Sequence, residues 1–228
     1  MTPGIQTPQL PHGLVCRRAS ERFHSRNGWL DSWHTFSFGG HHDPQWMGFG
    51  PLRVINDDTI AAGQGFGMHP HREGEVQRMS AGTGIVHSEI NQGAGPCRLL
   101  QIWIEPSLTG LTPAYEQKPF VVTGDWTPLL DPRGEGGAMA INRPVRLWRV
   151  RPAIGVPLPL PLESAHRTAP HPAPLLWMQL IAGRAQLDLA GRSAPLTLAE
   201  GDGVGLLAGE ATLTSRAEGT DVLLFAMA

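Results

Sequence analysis

The stretch EGEVQRMSAGTG, Glu73–Gly84, returns later in the chain as EGDGVGLLAGEA, Glu200–Ala211, at an offset of 127 residues. Each copy reads Glu-Gly-acid, then an apolar run, then Ala-Gly. Physically that is a turn, a strand and a second turn, the grammar of a β-domain used twice. Around the second copy the pattern is fuller. The 25 residues Leu175–Ala199 read as a hairpin, closed by Ala-Gly-Arg, plus one more strand. Before the first copy, His71 and Arg72 run straight into Glu73. The first domain therefore lacks a hairpin and a strand that the second possesses.

The rest of the chain supports an all-β reading. In Arg98–Ile104, Leu100, Ile102 and Ile104 alternate with Leu99, Gln101 and Trp103, the period of a strand. Pro51–Ile60 reads as a strand running into an Asp-rich turn, and Val222–Met227 as a closing apolar strand. Helical periodicity is nearly absent. Gly (28) and Pro (21) punctuate short apolar runs, as in sandwiches and barrels. Glu105–Phe120, with three prolines, reads as a connecting segment, and Asp131–Gly137 as a second break. These place an N-terminal domain at 1–125 and a C-terminal domain at 126–228.

The 228-residue chain carries a net charge of −2 and only 17% charged residues, with no basic stripe. That argues against direct nucleic-acid binding and anionic membranes. No apolar run is long enough for a membrane helix, and the N-terminus lacks signal-peptide features. The two cysteines, Cys16 and Cys97, form no framework and read as buried, inert thiols. A cytoplasmic protein is expected.

The first repeat copy lies inside GMHPHREGEVQRMSAGTGIVHSE, Gly67–Glu89. His69 and His71 are spaced i, i+2, as are His87 and Glu89. On strands each pair presents both side chains on one face. If the strands are neighbours, three imidazoles and a carboxylate converge on one divalent ion. Such a set suits Fe(II), Mn(II), Ni(II), Cu(II) or Zn(II), and leaves open positions for O2 or a substrate oxygen. Gly82 and Gly84 form the turn before His87 with positive φ, and Gly63, Gly65 and Gly67 allow close backbone approach. Thr214 and Arg216 stand at the positions offset by 127 from His87 and Glu89, so the second domain holds no metal.

Other residues read more plainly. His34 is a core-edge histidine bonded to backbone, and His41 and His42 a solvated loop. His166 and His171 belong to a surface loop, and Glu73 and Glu75 to the turn. Trp103 beside Gln101 fits either core packing or an aromatic ligand.

At these residues the chain resembles the pirin family of the cupin superfamily. The resemblance is carried by GWLDSWHTFSF (Gly28–Phe38), MGFGPLRVINDD (Met47–Asp58), GQGFGMHPH (Gly63–His71), MSAGTGIVHSE (Met79–Glu89) and LQIWIEP (Leu100–Pro106). It implies two tandem cupin, jelly-roll-like β-barrels. It also implies iron, as Fe(II), held by His69, His71, His87 and Glu89. Two activities are implied. One is dioxygenolytic cleavage by O2 of flavonols such as quercetin, a small aromatic substrate, with Glu89 as the catalytic base. The other is redox-responsive regulation of a protein partner. The chain departs from the family between Arg72 and Glu73, where pirins carry a longer segment; its loss leaves a catalytically inactive bicupin as a third expectation.

Overall fold

The computed structural model describes residues 13–66, 75–84, 87, 89–161 and 174–228. The chain forms two compact units. The first, Glu21–Pro119, contains β2 (Phe23–Asn27), β3 (Leu30–His34), β4 (Leu52–Ile60), β5 (Glu75–Ser80), β6 (Cys97–Ile104) and β7 (Ala114–Pro119). The second, Phe120–Ala228, also takes the early strand β1 (Leu14–Arg17). Its own strands are β8 (Thr127–Asp131), β9 (Met139–Ala140), β10 (Val145–Val150), β11 (Pro157–Pro159), β12 (Leu175–Ala182), β13 (Arg184–Leu189), β14 (Leu196–Ala199), β15 (Gly203–Leu207), β16 (Ala211–Ser215) and β17 (Asp221–Met227). Among the described residues helix is confined to single 3₁₀ turns, and none is long and apolar enough to cross a membrane.

The second unit is a complete two-sheet sandwich. One sheet runs β1-β15-β12-β17-β10-β8-β9 and the other β11-β16-β13-β14. Side chains of both sheets share one apolar core, with Trp148, Leu176, Met178, Leu187, Leu198, Leu213 and Leu224 buried. Burying each such side chain contributes roughly 1.5–3 kcal/mol. Gly183, at φ 80°, turns β12 into β13 where a Cβ would collide with Thr220. No described sheet closes on itself; the cupin fold is present as facing sheets.

Among the described residues, the first unit repeats the order of the larger sheet without an equivalent of β12. Its sheets run β2-β3-β4-β6 and β5-β7. The repeated sequence equates β5 with β15, and matching salt bridges equate β4 with β10 and β6 with β17. In β4 and β6, Arg98 Nε and Nη2 donate to Asp57 at 2.8 and 2.9 Å. In β10 and β17, Arg149 donates to Asp221 at 2.9 and 2.7 Å, with the charges exchanged between strands. The first unit then reads β7-β5-gap-β6-β4-β3-β2, and the gap falls where β12 lies between β15 and β17. Only 14 residues separate β4 from β5, whereas 52 separate β10 from β15. Eight of the 14 lie outside the described residues. The shorter connection has no room for equivalents of β12, β13 and β14.

Two elements differ from the sequence reading. Asn56, Asp57 and Asp58 lie within β4 and not in a turn, because each side chain has a partner in the sheet. The segment Glu105–Phe120 also contains a strand, β7, paired with β5 from Ser80↔Ala114 to Glu75↔Pro119.

Candidate metal centre

His87 and Glu89 stand beyond β5, on a segment pinned to the chain that leads toward His69. Glu89 N–H donates to the Phe66 carbonyl at 2.9 Å, and Asn91 N–H donates to Gln64 at 2.8 Å. Gly65 and Ile90 bridge antiparallel. A Cβ on Gly65, where φ is 155°, would lie 2.2 Å from the Glu89 carbonyl oxygen, so glycine is required for this approach. Gly82 turns at φ 53° against the Leu111 carbonyl, and Gly84 at φ 132°. Asn91 locks the far end: its buried amide donates to the Ile60 and Gly95 carbonyls and accepts from Gly93 N–H.

His87 Nε2 and Glu89 Oε1 are 4.0 Å apart. Two donors that each bind an ion at about 2.0–2.2 Å lie within about 4 Å of one another, so the pair fits a shared ion. Glu89 is largely covered and His87 half exposed. His69 and His71 lie outside the described residues, as do His166 and His171. Among the described residues no group of three or more His, Cys, Asp or Glu converges.

The inner wall of the first unit is a feature that sequence reading missed. The salt-bridge equivalence maps Asn56 onto Trp148, Asp58 onto Val150 and Gln101 onto Leu224. In the second unit those positions are core. In the first, cross-strand rows run Phe23–His34–Asn56–Gln101 and Ser25–Ser32–Asp58–Leu99. His34, Asn56, Ser32 and Asp58 are buried, and buried polar groups persist only when bonded. Ser32 Oγ donates to Asp58 Oδ1. His34 Nδ1 donates to Asn56 Oδ1 at 2.9 Å, and Asn56 Nδ2 to Gln101 Oε1 at 3.3 Å. Ser25 Oγ donates to His34 Nε2 at 2.9 Å. The ring of His34 thus bonds side chains and not backbone. Burial, then the repulsion of Asp57 and Glu89, pushes the Asp58 carboxyl up to about 6 against the Ser32 hydrogen bond. The Asp58 wall therefore feels the charge of Glu89. The sequence signal was the polar run Asn56–Asp58 inside an otherwise apolar strand.

His41 of the Gly-rich loop stacks on Phe23, ring centroids 4.1 Å apart. Cys16 and Cys97 are not joined in a disulfide and are of intermediate burial, not fully buried.

Comparison with known proteins agrees. The family described as Pirin matches residues 72–104. Quercetin 2,3-dioxygenase of Escherichia coli O157:H7 is 36% identical over 239 aligned positions, covering 93% of this chain and 97% of the relative. The crystal structure of YhhW from Escherichia coli matches with a TM-score of 0.80 and 34% identity over 94% of this chain and 97% of that one. The nickel(II) complex of bacterial pirin YhhW from the same organism gives 0.79 and 35% over 94% and 98%. Through full-length similarity at this level, the chain belongs to the pirin family.

Proposed function

We propose that the protein is a metal-dependent dioxygenase that cleaves flavonols such as quercetin, with Fe(II) held by His69, His71, His87 and Glu89. The carrying observation is the His87–Glu89 pair, two donors 4.0 Å apart, seated on the Phe66 carbonyl three residues before His69. The donor chemistry of three neutral imidazoles and one carboxylate fits a first-row divalent ion with positions left open. When bound, that ion supplies Lewis-acid activation of a substrate hydroxyl and a site for O2. Glu89 takes the proton of the flavonol 3-hydroxyl, within reach of the ligand because its backbone is fixed at both ends. The names of the curated relatives support this substrate class. The test is metal analysis and O2 uptake with quercetin on wild type, Glu89→Ala and His87→Ala. Joint loss of metal and turnover is expected; turnover by metal-free protein sinks the reading.

A metal-binding protein without turnover is the second reading. The gap between β5 and β6 favours it, since it removes a strand of the wall around the site. It predicts bound metal and no O2 consumption.

A further inference from the structure

The inner wall carries a second polar anchor besides Glu89, and its layout specifies the ligand. In the second unit the equivalent wall is solid core. In the first, Leu99 and Gln101 are partly open and Trp103 is 53% exposed, while Phe23 is 38% exposed. A row of rings runs along this face: Phe23 and His34 stack at 5.6 Å, His34 and Phe38 at 5.5 Å, and Phe38 meets Trp103 edge-on at 5.4 Å. Hydroxylated aromatic ligands use such a surface, with flat faces against rings and hydroxyls on fixed polar atoms.

The hydrogen-bond chain sets which polar atoms are available. Gln101 fixes the Asn56 amide with its oxygen toward His34, so His34 carries its proton on Nδ1. Nε2 is left as an acceptor and takes the Ser25 proton. Ser25 Oγ, half-buried at the outer end of the chain, retains its lone pairs and accepts a hydroxyl from a ligand. Burial keeps the imidazole neutral, lowering its proton affinity; His41, Arg22 and His24 act in the same direction and Asn56 against it.

We propose that Ser25, oriented by His34 and Asn56, anchors a hydroxyl of a multi-ring aromatic ligand whose other end reaches the Glu89 centre. Ser25 and Asp58 share one cross-strand row with Ser32 between them, two strand spacings or about 9–10 Å, and the Asn91 amide, two residues beyond Glu89, donates to the carbonyl of Ile60, two residues beyond Asp58. A single-ring phenol does not bridge these two anchors; a flavonol does. The inference rests on the proposed flavonol reading and adds to it the residues that discriminate ring number. Ser25 touches the ligand, and His34 is a positioning residue.

The test is calorimetric binding of quercetin and of catechol to wild type, Ser25→Ala and His34→Gln, with KM and kcat for quercetin where turnover exists. Ser25→Ala is expected to weaken quercetin about tenfold in Kd and in KM, to change kcat far less, and to leave catechol unaffected. His34→Gln, which retains a donor and an acceptor, is expected to give a smaller loss. Equal quercetin affinity in wild type and Ser25→Ala, or an equal loss for catechol, overturns the inference. Ser25-dependent binding without turnover would instead sink the dioxygenase reading and leave the anchor standing. Turnover indifferent to Ser25 does the reverse, and no quercetin binding by wild type removes both.

Discussion

Asp57, 6% exposed, is gripped by Arg98 through two bonds, and the Arg22 guanidinium lies 3.6 Å away. This pair ties β4 to β6, the strands carrying the polar wall. Removing a partner leaves a buried carboxylate poorly compensated. Arg98 is partly exposed, so solvent screens part of the loss. Arg98→Ala is expected to cost about 1–2 kcal/mol, read as a lower denaturation midpoint of the first unit. Asp57→Asn with Arg98→Ala should cost less than the sum of the two single changes, since once the Asp57 charge is gone the loss of Arg98 strands no carboxylate, and Arg22 loses the Asp57 charge equally in the single and double variants. Additive losses would contradict this coupling.

Asp58 predicts a pH dependence in metal-free protein. Its folded value of about 6 lies above the ordinary 3.8, so the folded state binds the proton more tightly than the unfolded chain. Stability from this group is therefore greatest below pH 4. It falls as pH rises from about 4 through about 6, and is flat above. A shift of about two units corresponds to about 3 kcal/mol at most. Asp58→Asn keeps an oxygen for Ser32 and removes the charge. It should flatten this segment of the profile and be the more stable protein at pH 8. A parallel profile for variant and wild type rejects the assignment.

Much of this was legible in the letters, for physical reasons that can be named. Alternation gave β6, a continuous apolar run gave β17, and Gly183 marked the β12–β13 turn, because strand pattern and positive φ are local properties. The repeat Glu73–Gly84 and Glu200–Ala211 identified β5 and β15, and the missing hairpin followed from their unequal surroundings. What escaped was cross-strand. Asn56–Asp58 read as a turn because their partners, His34, Ser32 and Arg98, arrive from strands far away in sequence. Residues Ala114–Pro119 read as linker because β7 is held by pairing with β5 and not by an apolar pattern of its own.

The proposed metal centre makes a thermodynamic prediction that does not depend on turnover. An ion that binds only the folded protein stabilises it by about 2.7 kcal/mol at one hundred times its Kd. Ni(II), or Fe(II) under anaerobic conditions, should raise the melting temperature of wild type. Glu89→Ala and His87→Ala should lose that rise. An unchanged rise in Glu89→Ala would show that the ion sits elsewhere.

The gap in the first unit predicts where the protein opens first. β15 is bonded on both sides, by β1 and β12, whereas β5 is bonded only by β7 among the described residues. β17 lies between β12 and β10, but β6 is a sheet edge among the described residues. A strand bonded on one side holds fewer protected amides and less packed surface, so it opens at lower free energy. Amides of β5 and β7 should exchange with deuterium well before those of β12, β15 and β17, and the outer amides of β6 before those of β4. The same edges can pair with other chains, so loss of monomer on warming should begin at temperatures where β12–β17 remain protected. Restoring a hairpin and strand of about 25 residues after Arg72, the length that the second unit carries in Leu175–Ala199, should slow exchange in β5 and β6 together. If β5 already exchanges as slowly as β15, the sheet is continuous in solution and the strand order of the first unit is wrong.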